Sequence, residues 1–373
     1  MKKIKLFALL AATAFVTAGV ATSCGENEDP SLPKVRVGLH ANLGAGAGYS
    51  AINQGFFKEE GLNVNPQIGK GPALAGALVA GDLDVSFMGN GVAWNYFTSK
   101  KEIKLVALDN LTDDDRLIAT NTGKGKDLTI NSSLAEIGAA LKQAKVGFDT
   151  TATPAAFWSS LVGEINKAVP ESDKIWYEDD SGNKLPTLTT YNENNKVEVV
   201  KMDNTSVPQA MQQKQIDFCI TFAPGATLLE KDTKNFKVVA KTSTHMSDSY
   251  TPSTWAVNAK WLENNKDTFA KFMRGLVKGM NFRAKNPGET AKDIEKISAS
   301  QVLASSLETD IAVWLDANKQ LELLNNGKAI KYVENIRESQ VNGGNKDKVS
   351  KDITAEKAAD FSYLKKACEA NKN

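Results

Sequence analysis

Few residues in this chain are equipped for bond-making chemistry, and many are equipped to hold a small polar molecule. The only histidines among 373 residues are His40 and His245, and no recognisable nucleophile motif surrounds either. The three cysteines, Cys24, Cys219 and Cys368, lack the spacing to another Cys or His that a zinc site needs. What recurs instead is a turn rich in glycine or hydroxyl side chains just ahead of a helical stretch. Gly69-Lys70-Gly71-Pro72 and Gly89-Asn90-Gly91 bracket a compact unit, GKGPALAGALVAGDLDVSFMGNG. HANLGAGAGYS (residues 40–50), DTTATP (149–154) and NTSVP (204–208) have the same character. Such turns leave backbone N–H groups uncovered at helix N-termini that carry partial positive charge, which suits the capture of a polar ligand. GAGAG, from Gly44 to Gly48, is not G-x-G-x-x-G, and the strand after it ends at Ile68-Gly69 rather than in an acidic residue, which argues against a dinucleotide site.

The elements that must position these turns alternate. KVRVGL reads as a strand and SAINQGFFKEEG as a helix stopped by Gly61. LNVNPQI is a strand that Pro66 makes a poor candidate for a sheet centre. Pro72 suits a first helical position, ALAGALVA continues that helix, and LDVSFM is the next strand. The helix VAWNYFTSK and the strands IKLVALDN and DRLIATNT follow. Strands alternating with helices imply βαβ units, whose turns into helices all lie at the carboxyl edge of a parallel sheet. The middle of the chain repeats the plan, and Asp84 in GDLDVSF and Asp217 in KQIDFCI hold equivalent places in the two halves. Residues 168–195 look like an inserted surface lobe, and the late stretch up to Asn286-Pro287 reads as a long helix or helix pair packing back on the first unit.

At 373 residues two domains are expected. The division read from the pattern is 34–122 with 250–373 as a discontinuous first lobe and 123–249 as the second. Its two crossings fall near residues 120–126 and 242–254. The fold class expected is α/β, each lobe with a mixed, mostly parallel sheet flanked by helices. A formal net charge of +1 argues against a nucleic-acid partner and against a polybasic membrane patch.

MKKIK followed by LFALLAATAFVTAGV has the basic and apolar regions of a secretory signal. ATSC after it resembles the bacterial lipobox, with Ala21 where Leu or Val is usual. Residues 1–24 are therefore expected to be a lipoprotein signal peptide with Cys24 the lipidated residue; the alternative is a plain cleaved signal. Residues 25–33 then form a polar tether. Cys219, in an apolar strand pattern, is expected to be a free buried thiol rather than paired with Cys368.

VRVGLHANLG…INQGFFKEEGLNV and the glycine-bracketed unit resemble the NMT1/THI5-like group of ABC-transporter solute-binding proteins. That group includes sulfonate-, taurine-, nitrate- and pyrimidine-precursor-binding members. The residues carrying the resemblance are Gly55-Phe56-Phe57, Glu60-Gly61-Leu62, Gly69, Gly71, Ala73-Leu74 and Gly81-Asp82-Leu83-Asp84. NTSVPQAMQQKQIDFCITFAPG and Asn286-Pro287-Gly288-Glu289 extend it. Phe222 stands where many relatives carry Trp, and EIGAALKQAKV keeps only loosely the usual DLKGKKV.

The resemblance implies a periplasmic-binding-protein type II-like fold, two lobes closing over a ligand. It places Asn42, Tyr49, Gly71, Pro72, Gly89, Asn90 and Trp94 on one side of the cleft. Asp149, Thr150, Thr151, Thr153, Asn204, Thr205, Phe222 and Pro224 stand on the other. Thr153 has two readings, helix cap and ligand contact, and Trp94 has two, packing and ligand contact. The cleft loops hold no arginine, and Lys70 and His40 are the basic side chains of the first lobe's turns, so the reading leans to an uncharged or weakly charged organic ligand. No metal or cofactor is expected. The implied partners are an ABC permease and ATPase, with the chain a monomer held to the membrane by its N-terminal lipid, on the periplasmic or extracellular face. The alternatives are a surface-anchored sensor or adhesin on the same fold and, further off, a THI5-like pyrimidine synthase, whose cysteine-rich iron site this sequence lacks.

Overall fold

The computed structural model describes residues 30–94, 96–97, 102–150, 153–179, 181–222, 225–299, 312–342 and 352–372. The signal segment, Cys24, Thr151 and Pro224 lie outside the described residues, as does the side chain of Asn90.

Thirteen strands are described: β1 (Lys34–Leu39), β2 (Asn63–Ile68), β3 (Val85–Gly89), β4 (Ile103–Thr112), β5 (Arg116–Thr120), β6 (Lys145–Phe148), β7 (Tyr177–Glu178), β8 (Lys184–Leu185), β9 (Glu198–Lys201), β10 (Phe218–Thr221), β11 (Phe236–Lys241), β12 (Thr251–Asn258) and β13 (Ala312–Trp314). They form a six-stranded sheet, β13-β4-β12-β3-β1-β2, a five-stranded sheet, β11-β5-β10-β6-β9, and the small β7-β8 pair. In each large sheet the parallel part is one trio, β2-β1-β3 or β9-β6-β10, and the remaining pairs are antiparallel. Pro66 stands on β2, an edge strand, where the missing N–H interrupts no second ladder.

The chain crosses between the sheets earlier than the alternation of strands and helices indicates. β5 lies before the boundary expected at residue 122, yet it pairs with β10 and β11 in the second sheet. The first crossing is therefore residues 113–115, between β4 and β5. A strand's pattern shows that it is half-buried but not which sheet it joins, so the boundary was not readable locally. The second crossing lies between β11 and β12.

Two apolar cores flank the first sheet and two flank the second. The expected first helix is broken into Gly46–Asn53 and Phe56–Glu59 by Gly55, whose φ of 79° is left-handed. The late stretch is a helix pair, Ala259–Asn264 and Lys266–Lys285, followed past Asn286 by the helix Pro287–Ser298, and the longest of them lies on Gly46–Asn53. Contact is so close that a β-carbon at Gly279 would stand 2.2 Å from the Ala47 carbonyl oxygen. The inserted stretch after the helix Thr153–Ala168 is fastened by Asn166, which exchanges two hydrogen bonds with the backbone of Ile175, at 2.8 and 2.9 Å. Cys219 and Cys368 are both free and buried, in cores on different sheets.

Candidate functional site

Strand register alone brings the turns together. β4 and β3 both pair antiparallel with β12, so they run the same way, and the end of β4 at Thr112 lies at the same edge as Gly89. In the second sheet Arg116, the first residue of β5, pairs with Thr221, the last of β10, and with Lys241, the last of β11. Thr251, the first residue of β12, pairs with Thr112. Both crossings therefore join the carboxyl edge of one parallel trio to the carboxyl edge of the other. The turns that follow β1, β2 and β3 face those that follow β6, β9 and β10 across residues 113–115.

On the first side, β1 runs into His40, whose ring meets Phe87 edge-on with centroids 5.2 Å apart. Burial pushes the His40 imidazole below its usual range, and its buried Nε2 has no hydrogen-bond partner among the described residues. Asn42 is exposed and caps the short turn behind it, its Oδ1 accepting from Ala45 N at 3.4 Å. Gly71 is buried, and a β-carbon there would stand 3.3 Å from the His40 ring, so glycine lets the helix Gly71–Ala80 start against it. Pro72 is exposed, and its carbonyl accepts from the Tyr96 hydroxyl at 3.0 Å. A β-carbon at Gly89 would meet nothing within 4 Å.

Two expected contacts give way to packing. Tyr49 and Trp94 are both 0% exposed. Tyr49 belongs to the core under the first sheet and donates its hydroxyl to the His40 carbonyl at 3.0 Å, and Trp94 packs on Phe97 at 4.7 Å. Each sits on the inner face of a helix that starts at a turn, where nearness in sequence to the turn does not mean exposure to it.

On the second side, Asp149 and Thr150 follow β6 and are half-buried. Thr153, exposed at the start of the helix Thr153–Ala168, donates its hydroxyl to Asp115 Oδ1 at 3.0 Å. Asn204 accepts from the Thr221 hydroxyl at 2.8 Å, Thr205 is exposed, and Phe222 is half-buried just past β10.

Between the two sides lie residues that the sequence reading did not single out. Asp113 accepts from the backbone N–H of Ser243 at 2.8 Å, which ties the two crossings together. Arg116 reaches Glu230 at 2.9 Å and Asp114 at 3.8 Å. Burial lifts the carboxyls of both Asp113 and Asp115, the latter to about 7. The run Asp-Asp-Asp-Arg in an otherwise apolar pair of strands was the available signal. A cavity of about 290 Å³ adjoins this crossing, lined in part by Asp113, Lys241 and Ser243. A second, of about 580 Å³, lies at the opposite edge of the first sheet around Arg36 and Asp84. Neither is lined by the glycine turns. Among the described residues, no group of three His, Cys, Asp or Glu is placed to hold a metal ion, and no helix is long and apolar enough to cross a membrane.

A structure of a periplasmic sulfonate-binding protein from Methylobacillus flagellatus matches this chain with a TM-score of 0.61. The match is at 14% identity and covers 91% of this chain and 95% of that one. The fold is that of the periplasmic binding proteins. Residues 184–290 match a family profile described as NMT1/THI5 like, which bears out the resemblance read from the sequence. A "Putative binding protein" of Brucella abortus (strain 2308) is 25% identical over 317 residues, 83% of this chain and 82% of its own. The binding-protein fold also serves catalysis, since a desulfurization enzyme matches with a TM-score of 0.57 at 10% identity, over 91% of this chain and all of its own.

Proposed function

We propose that this chain is an extracytoplasmic solute-binding protein of an ABC importer. It takes up a small organic ligand between its two lobes and delivers it to a membrane permease coupled to an ATPase. The observation that supports this most is the junction just described: two sheets joined twice, carboxyl edge to carboxyl edge, with glycine- and hydroxyl-rich turns on both sides. Ligands bind in the crevice outside the carboxyl ends of such strands. A ligand touching both sides favours the closed arrangement in proportion to its differential affinity for it. Asn42, Gly71, Pro72, Gly89 and Asn90 are the proposed contacts on one lobe, with Thr150, Thr151, Thr153, Asn204, Thr205 and Phe222 on the other. Cys24 would anchor the mature chain by its lipid. Among the described residues neither cysteine is placed as a nucleophile, since Cys219 and Cys368 are both buried and burial pushes both thiols up.

Thermal unfolding of the mature chain against pyrimidines, flavins, sulfonates and inorganic anions tests the reading. A ligand at ~100 times its Kd adds ~2.7 kcal/mol, a shift of several degrees. Gly89→Leu should keep the melting temperature of the free protein and remove that shift, since its new side chain enters open space. A ligand-free preparation that responds to no class of compound would overturn the proposal.

A further inference from the structure

Bonds on either side of the two crossings fix where the lobes can turn. At the first crossing Thr112 pairs with Thr251 and Ala312 in the first sheet. Asp113 and Asp115 are already tied to the second lobe, by Ser243 N at 2.8 Å and by the Thr153 hydroxyl at 3.0 Å. The change of lobe therefore falls on the link between Thr112 and Asp113. The second crossing narrows in the same way. His245 donates from Nε2 to the Ser132 carbonyl at 2.9 Å, and Met246 is 3% exposed in a core of the second lobe. One residue later the chain belongs to the first lobe. The helix Lys328–Asn342, seated in a core of the first sheet through Tyr332 and Val333, holds the next two residues. Tyr332 donates its hydroxyl to the Ser247 carbonyl at 3.1 Å, and Asn335 donates to the Asp248 carbonyl at 2.7 Å. Lys331 and Lys328 pair with the Asp248 carboxylate at 2.7 and 3.3 Å.

We infer that the helix Lys328–Asn342 is a charge-held clamp on the second crossing. It confines the swing of the lobes to two links, Thr112 to Asp113 and Met246 to Ser247. This rests on the solute-binding reading, in which the lobes close on a ligand, and adds a device to it. The clamp lies outside residues 184–290, the stretch that the family profile matches. Each residue of chain carries two soft dihedrals, so a crossing fastened on both sides of one link turns about few bonds. Without the clamp the free stretch would run on to Tyr250, which is buried against Tyr332. The lobes would then sample a wider range of orientations, and the closed arrangement would form at a greater cost in entropy. The Asp248 side chain is 56% exposed, so salt reaches and screens its ion pairs.

Pulsed dipolar electron spin resonance on the ligand-free mature chain tests this. Nitroxide labels go on Lys58→Cys in the first lobe and Lys167→Cys in the second, in a Cys24→Ser background; Cys219 and Cys368 are buried and stay unlabelled. With the clamp intact the interlobe distance distribution should be narrow, and Asp248→Ala with Asn335→Ala should broaden it about twofold. The melting temperature should stay within about 3 °C, because exposed ion pairs contribute little to stability. About 0.5 M NaCl should also broaden the distribution with the clamp unmutated. An unchanged width in the double variant overturns the inference. So does equal broadening in Lys292→Ala, which breaks an exposed ion pair with Glu289 away from the crossings. The salt comparison needs no change in the clamp, so it decides where those substitutions disturb folding, and a width that salt leaves unaltered overturns the inference. Each of these failures leaves the solute-binding reading to the ligand panel, which uses the unmutated chain.

Discussion

Asp84 and Asp217 make the same bond in the two halves of the molecule. Each stands one residue before the third strand of its parallel trio and accepts from a backbone N–H of the neighbouring central strand, Arg36 N to Asp84 Oδ2 and Lys145 N to Asp217 Oδ2, both at 2.8 Å. Each also returns its own N–H to the carbonyl of that same neighbour. Asp84 is buried and takes the Arg36 guanidinium as well, whereas Asp217 is half-buried.

Replacing these carboxylates should cost the two sites unequally. Hydrogen bonds to charged groups contribute about 1.5 to 3 kcal/mol, and loss of a buried acceptor strands its donor. Asp84→Ala should lower stability by about 2 kcal/mol and Asp217→Ala by about 1 kcal/mol. Urea unfolding with an unchanged m-value checks both.

A second carboxylate stabilises the first lobe from within. Asp109 and Arg283 are 0% and 1% exposed, with their ion pair at 2.5 Å. Trp255 Nε1 donates to Asp109 at 2.7 Å, and Arg283 also donates to the Gly44 carbonyl at 2.9 Å, directly under the first turn of the site. Arg283→Met should cost about 3 to 5 kcal/mol by leaving a buried charge unpaired. The double variant Asp109→Leu with Arg283→Met should recover part of that loss, measured as a coupling energy in a double-mutant cycle.

Two glycines in helices should respond in opposite directions. Gly279→Ala forces a β-carbon onto the Ala47 carbonyl, and overpacking of this kind costs about 1 to 3 kcal/mol. Gly163→Ala, inside Thr153–Ala168 with nothing near its β-carbon, should raise stability by about 0.5 to 1 kcal/mol. Paired melting curves distinguish the two.

Asp115 makes stability depend on pH. The unfolded chain gives up this proton near 3.8, while in the folded protein burial, with Asp114 and Asp113 adding to it and Thr153 and Arg116 opposing, raises the value to about 7. Between these pH values the folded state holds a proton that the unfolded state has lost, so Asp115 lowers stability progressively as pH rises from about 4 to about 7. Asp115→Asn should be neutral near pH 4 and stabilising by about 2 to 4 kcal/mol above pH 7 in the ligand-free protein. A gain that does not grow with pH in denaturant titrations would contradict the assignment.

Local physics was enough for several of these features. Strand and helix periods differ, so the alternation of βα units was visible in the chain itself. Pro66 marked an edge strand because a missing N–H is a local fact, and the equivalence of Asp84 with Asp217 showed because each lies beside its own strand. The turns at Gly69, Gly89 and Asp149 were visible for the same reason. Partners far apart in sequence decided the rest. Asp109 meets Arg283 from 174 residues away, a pairing that no local pattern encodes. β5 has the same alternation in either sheet, so only assembly sends it to the second and leaves residues 113–115 as the crossing. Tyr49 and Trp94 carry aromatic rings that suit a ligand or a core equally, and burial chose the core. Burial likewise turns Asp115 from one acidic residue in a run of three into a carboxyl raised well above its ordinary range and held by the Thr153 hydroxyl.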